Sequence, residues 1–237
     1  MKVAFLTIAT NKYINMAKSL YESMCIYAFP DNKVEVDFLC LTNLPQEFDN
    51  INGRVKHKSI YLTHVPFPLI SLLRYQYYST IENILTKYDY VYHIDCDMLL
   101  KDNIGEDIFG DRVCVIHPGF PFEGIPVDRL PYDRNEKSKA YVPLNEGKHY
   151  YQNCFQGGLS HEFVNMCKLL RNDIEENLRE NYIALWHDES YMNRYMVTNP
   201  PTRILPPTYA QPESWGLFGP TKILHVDKNH KEVRMTT

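Results

Sequence analysis

The sequence predicts an α/β fold in which a mainly parallel central sheet is flanked by helices. Strand-like and helix-like segments alternate through the first two-thirds of the chain. Several strand-like runs are continuously apolar, which suits strands buried on both faces. With 237 residues, 44% of them hydrophobic and 23% charged, the chain is long enough for one sizeable core.

Residues 2–8 (KVAFLTI) form the first apolar run, closed by the polar ATNK. Residues 14–27 place Ile14, Met16, Leu20, Met24 and Tyr27 on one helical stripe. Residues 34–41 (VEVDFLCL) read as the next strand and 54–62 (RVKHKSIYL) as a shorter one. A helical segment is expected from about Pro68 to Lys87, then a central strand at 88–94 (YDYVYHI) and another at 111–117 (DRVCVIH). From Pro118 to Gly147 proline, glycine and charge dominate without a period, and so long a loop is usually functional or disordered. YYQNCFQGGLS, a helix from about Glu162 to Asn181, LWHDESYMNRYM and a polar, basic end follow. No repeat or linker divides the chain, so residues 1–237 are expected to form one domain, with a C-terminal flap from about residue 222.

A formal net charge of −4 offers no basic field for nucleic acid or an anionic membrane. Cys25, Cys40, Cys96, Cys114, Cys154 and Cys167 are scattered without CxxC pairs and read as reduced structural thiols. No secretory h-region follows Met1, and no apolar run approaches the ~20 residues of a membrane span. The expectation is a soluble, cytoplasmic, unprocessed protein.

The stretch YVYHIDCDMLL ends an apolar strand on two carboxylates, Asp95 and Asp97. Ligands of open α/β sheets bind beyond the carboxyl ends of the strands. A D-x-D pair there supplies oxygen ligands to Mg²⁺ or Mn²⁺, which also accept diphosphate oxygens. Alternatively one acid caps the turn and the other is solvated. A phosphatase using paired aspartates is a third reading, but it usually carries Thr where Leu99 stands. In LWHDES, Trp186 offers a platform for a pyranose face, and Glu189 a carboxylate for an oxocarbenium-like centre. The same residues also suit a plain helix start, with Asp188 and Glu189 in the first turn. His117 in VIHPGF is a ligand contact or a structural histidine. Gly157-Gly158 lets backbone approach a ligand or forms a turn. KNHKEVR is a frayed tail or an anion clamp.

These motifs share an order: D-x-D, HPGF, Tyr132–Arg134 with Ser138–Pro143, Glu146–Gly158, WHDES (186–190) and Lys228–Arg234. In that order they closely resemble glycosyltransferase family 6, the family of the blood-group A and B transferases and the α1,3-galactosyltransferases. The resemblance covers nearly the whole chain. It implies a GT-A fold and retaining transfer of galactose or N-acetylgalactosamine from a UDP-sugar to the 3-hydroxyl of an acceptor galactoside. It also implies that Ile8, Thr10 and Tyr13 surround the uracil, and that Arg74 and Cys96 contact the donor. Asp95 and Asp97 would hold Mn²⁺, with Mg²⁺ as the substitute, on the diphosphate. His187 and Asp188 would meet donor-sugar hydroxyls, Lys228 and Arg234 would close over UDP, and Glu189 would be nucleophile or charge stabiliser. His117 and Trp186 fall at acceptor positions, together with Glu189.

Departures from the family's pattern sharpen the expectation. Vertebrate members carry an anchor and stem, whereas here the catalytic region starts at Met1, as in a soluble microbial or viral member. Some bacterial members replace the D-x-D acids with asparagine and need no metal; this chain keeps both. The donor-selective stretch reads Gln152-Asn153-Cys154, and Cys154 is larger than the usual Gly or Ala, which favours UDP-galactose or UDP-glucose over the N-acetyl sugar. Pro131 stands where an acceptor-contacting Thr is common. A different GT-A transferase or a non-catalytic carbohydrate-binding protein is the alternative.

Overall fold

The computed structural model describes residues 1–229 apart from Asn32, Asn50 and Leu217. Strand β1 (Lys2–Ile8) leads into helix α1 (Tyr13–Tyr27), then β2 (Glu35–Thr42) and β3 (Val55–Tyr61). Three short helices follow, α2 (Leu69–Leu72), α3 (Arg74–Thr80) and α4 (Glu82–Leu85). Next come β4 (Tyr90–Ile94), β5 (Met98–Leu100), β6 (Arg112–Ile116) and β7 (Tyr151–Leu159). The chain continues through α5 (Ser160–Arg179), α6 (Asp188–Thr198), β8 (Arg203–Leu205), β9 (Gln211–Pro212) and β10 (Ile223–His225).

The large sheet has the order β3-β2-β1-β4-β7-β6-β8. Strands β3, β2, β1 and β4 run parallel, as does the β6–β8 pair, while β7 is antiparallel to both of its neighbours. The sheet is therefore mainly parallel, as expected, with one reversed strand at its centre. The continuous apolar run of β1 has the anticipated cause: Val3 and Phe5 pack into the core on one face, Ala4 and Leu6 into the core on the other. Helix α1 covers the first face through Ala17, Leu20, Tyr21 and Met24. Helices α3, α5 and α6 supply the second, with Tyr75, Tyr78, Phe163, Leu170 and Met192. All six cysteines are free and buried, and no helix among the described residues is long and apolar enough to cross a membrane.

The stretch after Pro68 differs from the sequence expectation. The helix over 68–87 is broken at Leu73 (φ −88°, ψ 9°) and Ile81 (φ −109°, ψ 21°). Tyrosines, Ser and Thr give this stretch little intrinsic helicity, so burial of Arg74, Tyr75 and Tyr78 sets its path. Within the span expected as a C-terminal flap, Ile223 is fully buried and anchors β10, which pairs antiparallel with β5 and parallel with β9. Residues 230–237, including Arg234, lie outside the described residues.

Gly157 and Gly158 do not form a turn; they lie inside β7, between β4 and β6. A Cβ on Gly157 would sit 2.2 Å from the Val91 carbonyl oxygen, and one on Gly158 2.1 Å from that of Asp111. Gly158 also has φ +138°, where a side chain is strained. Gly157→Ala should therefore destabilise the protein by about 2 kcal/mol or more through overpacking against backbone that cannot yield. A denaturation midpoint within error of wild type would contradict this.

Candidate active site

Asp95 follows the last residue of β4, so the sheet itself delivers the acid to the strand ends. Its backbone N–H donates to the Cys154 carbonyl of β7 at 2.8 Å, and Asp97 precedes β5. Behind them lies Arg74, at the start of α3 and nearly buried. Arg74 Nη2 is 3.1 Å from Asp95 Oδ1, and Arg74 Nε is 2.9 Å from Asp188 Oδ2 at the start of α6. The second contact is an ion pair without hydrogen-bond alignment at Nε. Nη1 also donates to the Asn153 carbonyl at 3.2 Å and touches His93 Nε2. His93 Nδ1 in turn lies 2.7 Å from Tyr78 Oη.

This cluster sets the charges. Burial alone would raise the Asp95 carboxyl, but Arg74, His93 and Lys228 outweigh it and hold it well below the usual carboxylate range. Burial and the adjacent guanidinium push His93 down to about 4, so its imidazole is neutral. Asp188 is pushed up by burial, against the pull of Arg74. Arg74 stays protonated.

Asp97 is the second acid and is almost fully buried. Its Oδ2 meets Lys228 Nζ and lies 3.2 Å from His225 Nε2 on β10. Among the described residues, the bonds to Asp95 fall on Oδ1 and those to Asp97 on Oδ2. No group of three or more His, Cys, Asp or Glu is placed to hold a metal among the described residues. Two carboxylates at a strand end nevertheless fit Mg²⁺ or Mn²⁺, which commonly take one or two protein acids and complete their shell with phosphate oxygens and water. Asp95 and Asp97 would hold such an ion, with Lys228 giving up its place at Oδ2.

A cavity of about 370 Å³ opens in front of these acids, lined by Ile8, Thr10, Tyr13, Arg74, Cys96 and Lys228 as well as by both acids themselves. The structure thus brings eight of the sequence-picked residues to one wall. Lys228 Nζ stands 5.7 Å from the centre of the Tyr13 ring. His64 and Phe67 also line this cavity; neither stood out in the sequence. His64 Nδ1 pairs with Thr10 Oγ1 at 2.9 Å, and Phe67 meets the ring of His187 edge-on at 5.2 Å.

A second cavity of about 490 Å³ is lined by His117, Gln152, Trp215, His225 and, again, Lys228. His117 is pushed down to about 4 by burial, with His225 adding to the effect. Its Nδ1 accepts from the Gly119 N–H at 2.9 Å, which closes the Pro-Gly turn. The structure does not bring Pro131, Asn153, Cys154, Trp186, His187, Asp188 or Glu189 to the lining of either cavity. Trp186 is 50% exposed, with its N–H donating to Ser190 Oγ, whereas Trp215 lines the second cavity at 49% exposure. Cys154 packs its thiol into the core.

Glu189 sits in the first turn of α6, the helix start that the sequence also allowed. Tyr150 Oη donates to Oε1 at 2.9 Å and the Asn153 N–H donates to Oε2 at 3.0 Å. Burial pushes its carboxyl up to about 7, against these two hydrogen bonds. His187, ahead of the helix, has φ +51°, a strained setting for a non-glycine residue of the kind that collects at functional sites. Asn153 reaches Glu189 because β7 bulges: Cys114 pairs with Gln156, yet the next residue, Val115, pairs with Gln152. Its side chain donates to Asp188 at 2.6 Å and accepts from Tyr75 at 3.1 Å.

The family model for glycosyltransferase family 6 matches residues 2–235. The chain belongs to glycosyltransferase family 6. Its sheet and flanking helices are consistent with the GT-A fold. This family 6 chain is 33% identical over 150 residues to a globoside alpha-1,3-N-acetylgalactosaminyltransferase 1 of Gallus gallus, covering 62% of the chain and 43% of the relative. It is 31% identical over 150 residues to the histo-blood group ABO system transferase 2 of Rattus norvegicus, covering 62% and 44%. Against the O-antigen biosynthesis glycosyltransferase WbnI of Escherichia coli it is 30% identical over 167 residues, covering 70% of each. The chain thus spans less than half the length of these vertebrate relatives.

Replacing Arg74 by Met would leave buried Asp188 and half-buried Asp95 without their shared cation. The expected loss is about 3–5 kcal/mol, the usual cost of removing one partner of a buried pair. A urea titration measures it, and a change under about 1 kcal/mol would remove Arg74 from this role.

Proposed function

We propose that the protein transfers galactose, or a related hexose, from a UDP-sugar to the 3-hydroxyl of an acceptor galactoside or other glycan. Transfer retains anomeric configuration and depends on Mn²⁺ or Mg²⁺. One observation carries the reading: three consecutive residues of β7 serve three parts of one site. Gln152 lines the second cavity, the Asn153 N–H holds Glu189, and the Cys154 carbonyl holds Asp95. Lys228 lines both cavities, so donor and acceptor would meet beside it. The name of the globoside relative supports glycosyl transfer with α-1,3 linkage.

In this reading UDP-sugar occupies the first cavity, with its base near Ile8, Thr10 and Tyr13 and its diphosphate toward Asp95, Asp97 and Lys228. Asp95 and Asp97 would hold the metal, which would supply positive charge beside the diphosphate. Lys228, and Arg234 from the tail, add positive charge to the same leaving group. Arg74 acts by fixing Asp95 and Asp188 rather than by spending its own charge on substrate. His187 and Asp188 orient the donor sugar. The bond from the anomeric carbon to the diphosphate oxygen breaks while Glu189 stabilises the positive charge that develops. The acceptor hydroxyl enters from the His117 side, on the face UDP leaves, and its proton departs with the diphosphate. Trp186 and Pro131 stand further out, as contacts for the rest of the acceptor.

The donor assignment rests on the family resemblance at Cys154, larger than the usual Gly or Ala, and not on the cavities, since the Cys154 thiol packs into the core and lines neither of them. The globoside relative is named for the N-acetyl sugar, so a UDP-release screen decides between them. UDP-galactose should be the best donor, and chelator should abolish release. A clear preference for UDP-N-acetylgalactosamine overturns the donor choice, full activity in chelator overturns metal dependence, and no release from any UDP-sugar leaves a carbohydrate-binding protein.

Glu189→Gln should cut transfer at least ~100-fold if the charge acts in the transition state. Because its carboxyl is raised to about 7, the charged form is lost as pH falls through that value. Turnover should therefore drop on the acid side of about pH 7 rather than near 4.5. Near-normal turnover of the Gln variant would exclude the role.

A further inference from the structure

Glu189 is not held by solvent or by its own helix alone. Both carboxylate oxygens are engaged, Oε1 by the Tyr150 hydroxyl and Oε2 by a backbone N–H of the β7 bulge. Tyr150 itself is fully buried, at 1% exposure. Its ring meets Phe120 at 5.8 Å and Tyr132 at 5.4 Å, both edge-on, and His117 at 5.7 Å. The His117 N–H also donates to the Tyr150 carbonyl at 3.0 Å. Tyr132 is braced in turn: its hydroxyl donates to the His149 carbonyl at 2.6 Å, and a Cβ at Gly147 would lie 2.6 Å from its ring. A buried phenol fixed by three rings has one direction left for its hydroxyl, and that direction is Glu189.

We propose that Tyr150 is the positioning residue of Glu189, fixing the plane of its carboxylate and keying it to the His117–Phe120 turn that walls the second cavity. The inference rests on the role given to Glu189 above. The hydroxyl remains a donor, because burial and the neighbouring carboxylate push its own ionisation far up. The other groups acting on Glu189 are the Asn153 N–H, which stabilises its charge, and Asp188 and Asp95, which oppose it. Losing the Tyr150 bond therefore leaves the carboxylate less stabilised and free to rotate about the remaining one. An aromatic stack that served only packing would not need its hydroxyl, and Phe would replace it at little cost.

The test is Tyr150→Phe beside Glu189→Gln, with turnover by UDP release as a function of pH, KM for UDP-galactose and the denaturation midpoint. A lost hydrogen bond to a charged group predicts a roughly 10–100-fold fall in kcat. Donor KM should stay within about twofold, since uniform binding is untouched. The acid limb should move to higher pH. If the Phe variant keeps wild-type kcat and acid limb while the Gln variant is inactive, the inference fails and the role of Glu189 stands. A Phe variant changed only in KM or only in stability also overturns it. If the Gln variant turns over normally, the underlying role fails instead. Phe120→Leu loosens the ring without touching the hydroxyl, and an unchanged acid limb there counts against the proposal as well.

Discussion

The buried guanidinium of Arg74 ties together the end of β4, the start of α3 and the first turn of α6. These are three elements distant in sequence, each contributing a charged or polar group that burial alone would disfavour. Ion pairs of this kind seldom stabilise a fold more than a well-packed apolar cluster would. What Arg74 supplies is fixed geometry: with Asp188 and Asp95 on two sides of one planar cation, the strand end and the helix start cannot slide independently. Asn153 then links the same cluster to Glu189 through its side chain and its N–H. Asp95, Asp188 and Glu189 thus belong to one bonded body.

The antiparallel strand β7 makes that body possible. Its glycine pair lets it lie tightly between β4 and β6 at one end, and its bulge lets it leave the ladder at the other. The first property is pure packing and the second is chemistry, yet both come from nine consecutive residues. A strand that approached its neighbours less closely would carry Asn153 and Cys154 away from Glu189 and Asp95.

Much of this was legible in the sequence, for physical reasons that also mark where legibility stops. Strands of seven or eight mostly apolar residues declare burial on both faces, so β1 and β2 were readable. Strands of two or three residues, such as β5, β9 and β10, are too short to show any period, and Ile223 looked like part of a polar tail. The break-up of 68–87 depends on which tyrosines find burial, a tertiary matter. Asp95, Asp97 and Glu189 stood out because charges at strand and helix ends call for a reason. His64, His93 and Tyr150 did not, since each acquires meaning only from a partner 15 to 54 residues away. Trp186 was the conspicuous tryptophan by motif; Trp215, in a stretch without pattern, is the one that lines a cavity.

Strand β10 has one more consequence. Lys228 lies three residues beyond His225, the end of that strand, and three residues of chain reach at most ~10 Å. Its ammonium is therefore leashed to Asp97, and a leash sets a local concentration in the millimolar range or above however dilute the protein is. Diluting the sample a thousandfold weakens every counter-ion in solution but not this one. Any free cation that approaches Asp97 competes with a resident that never diffuses away.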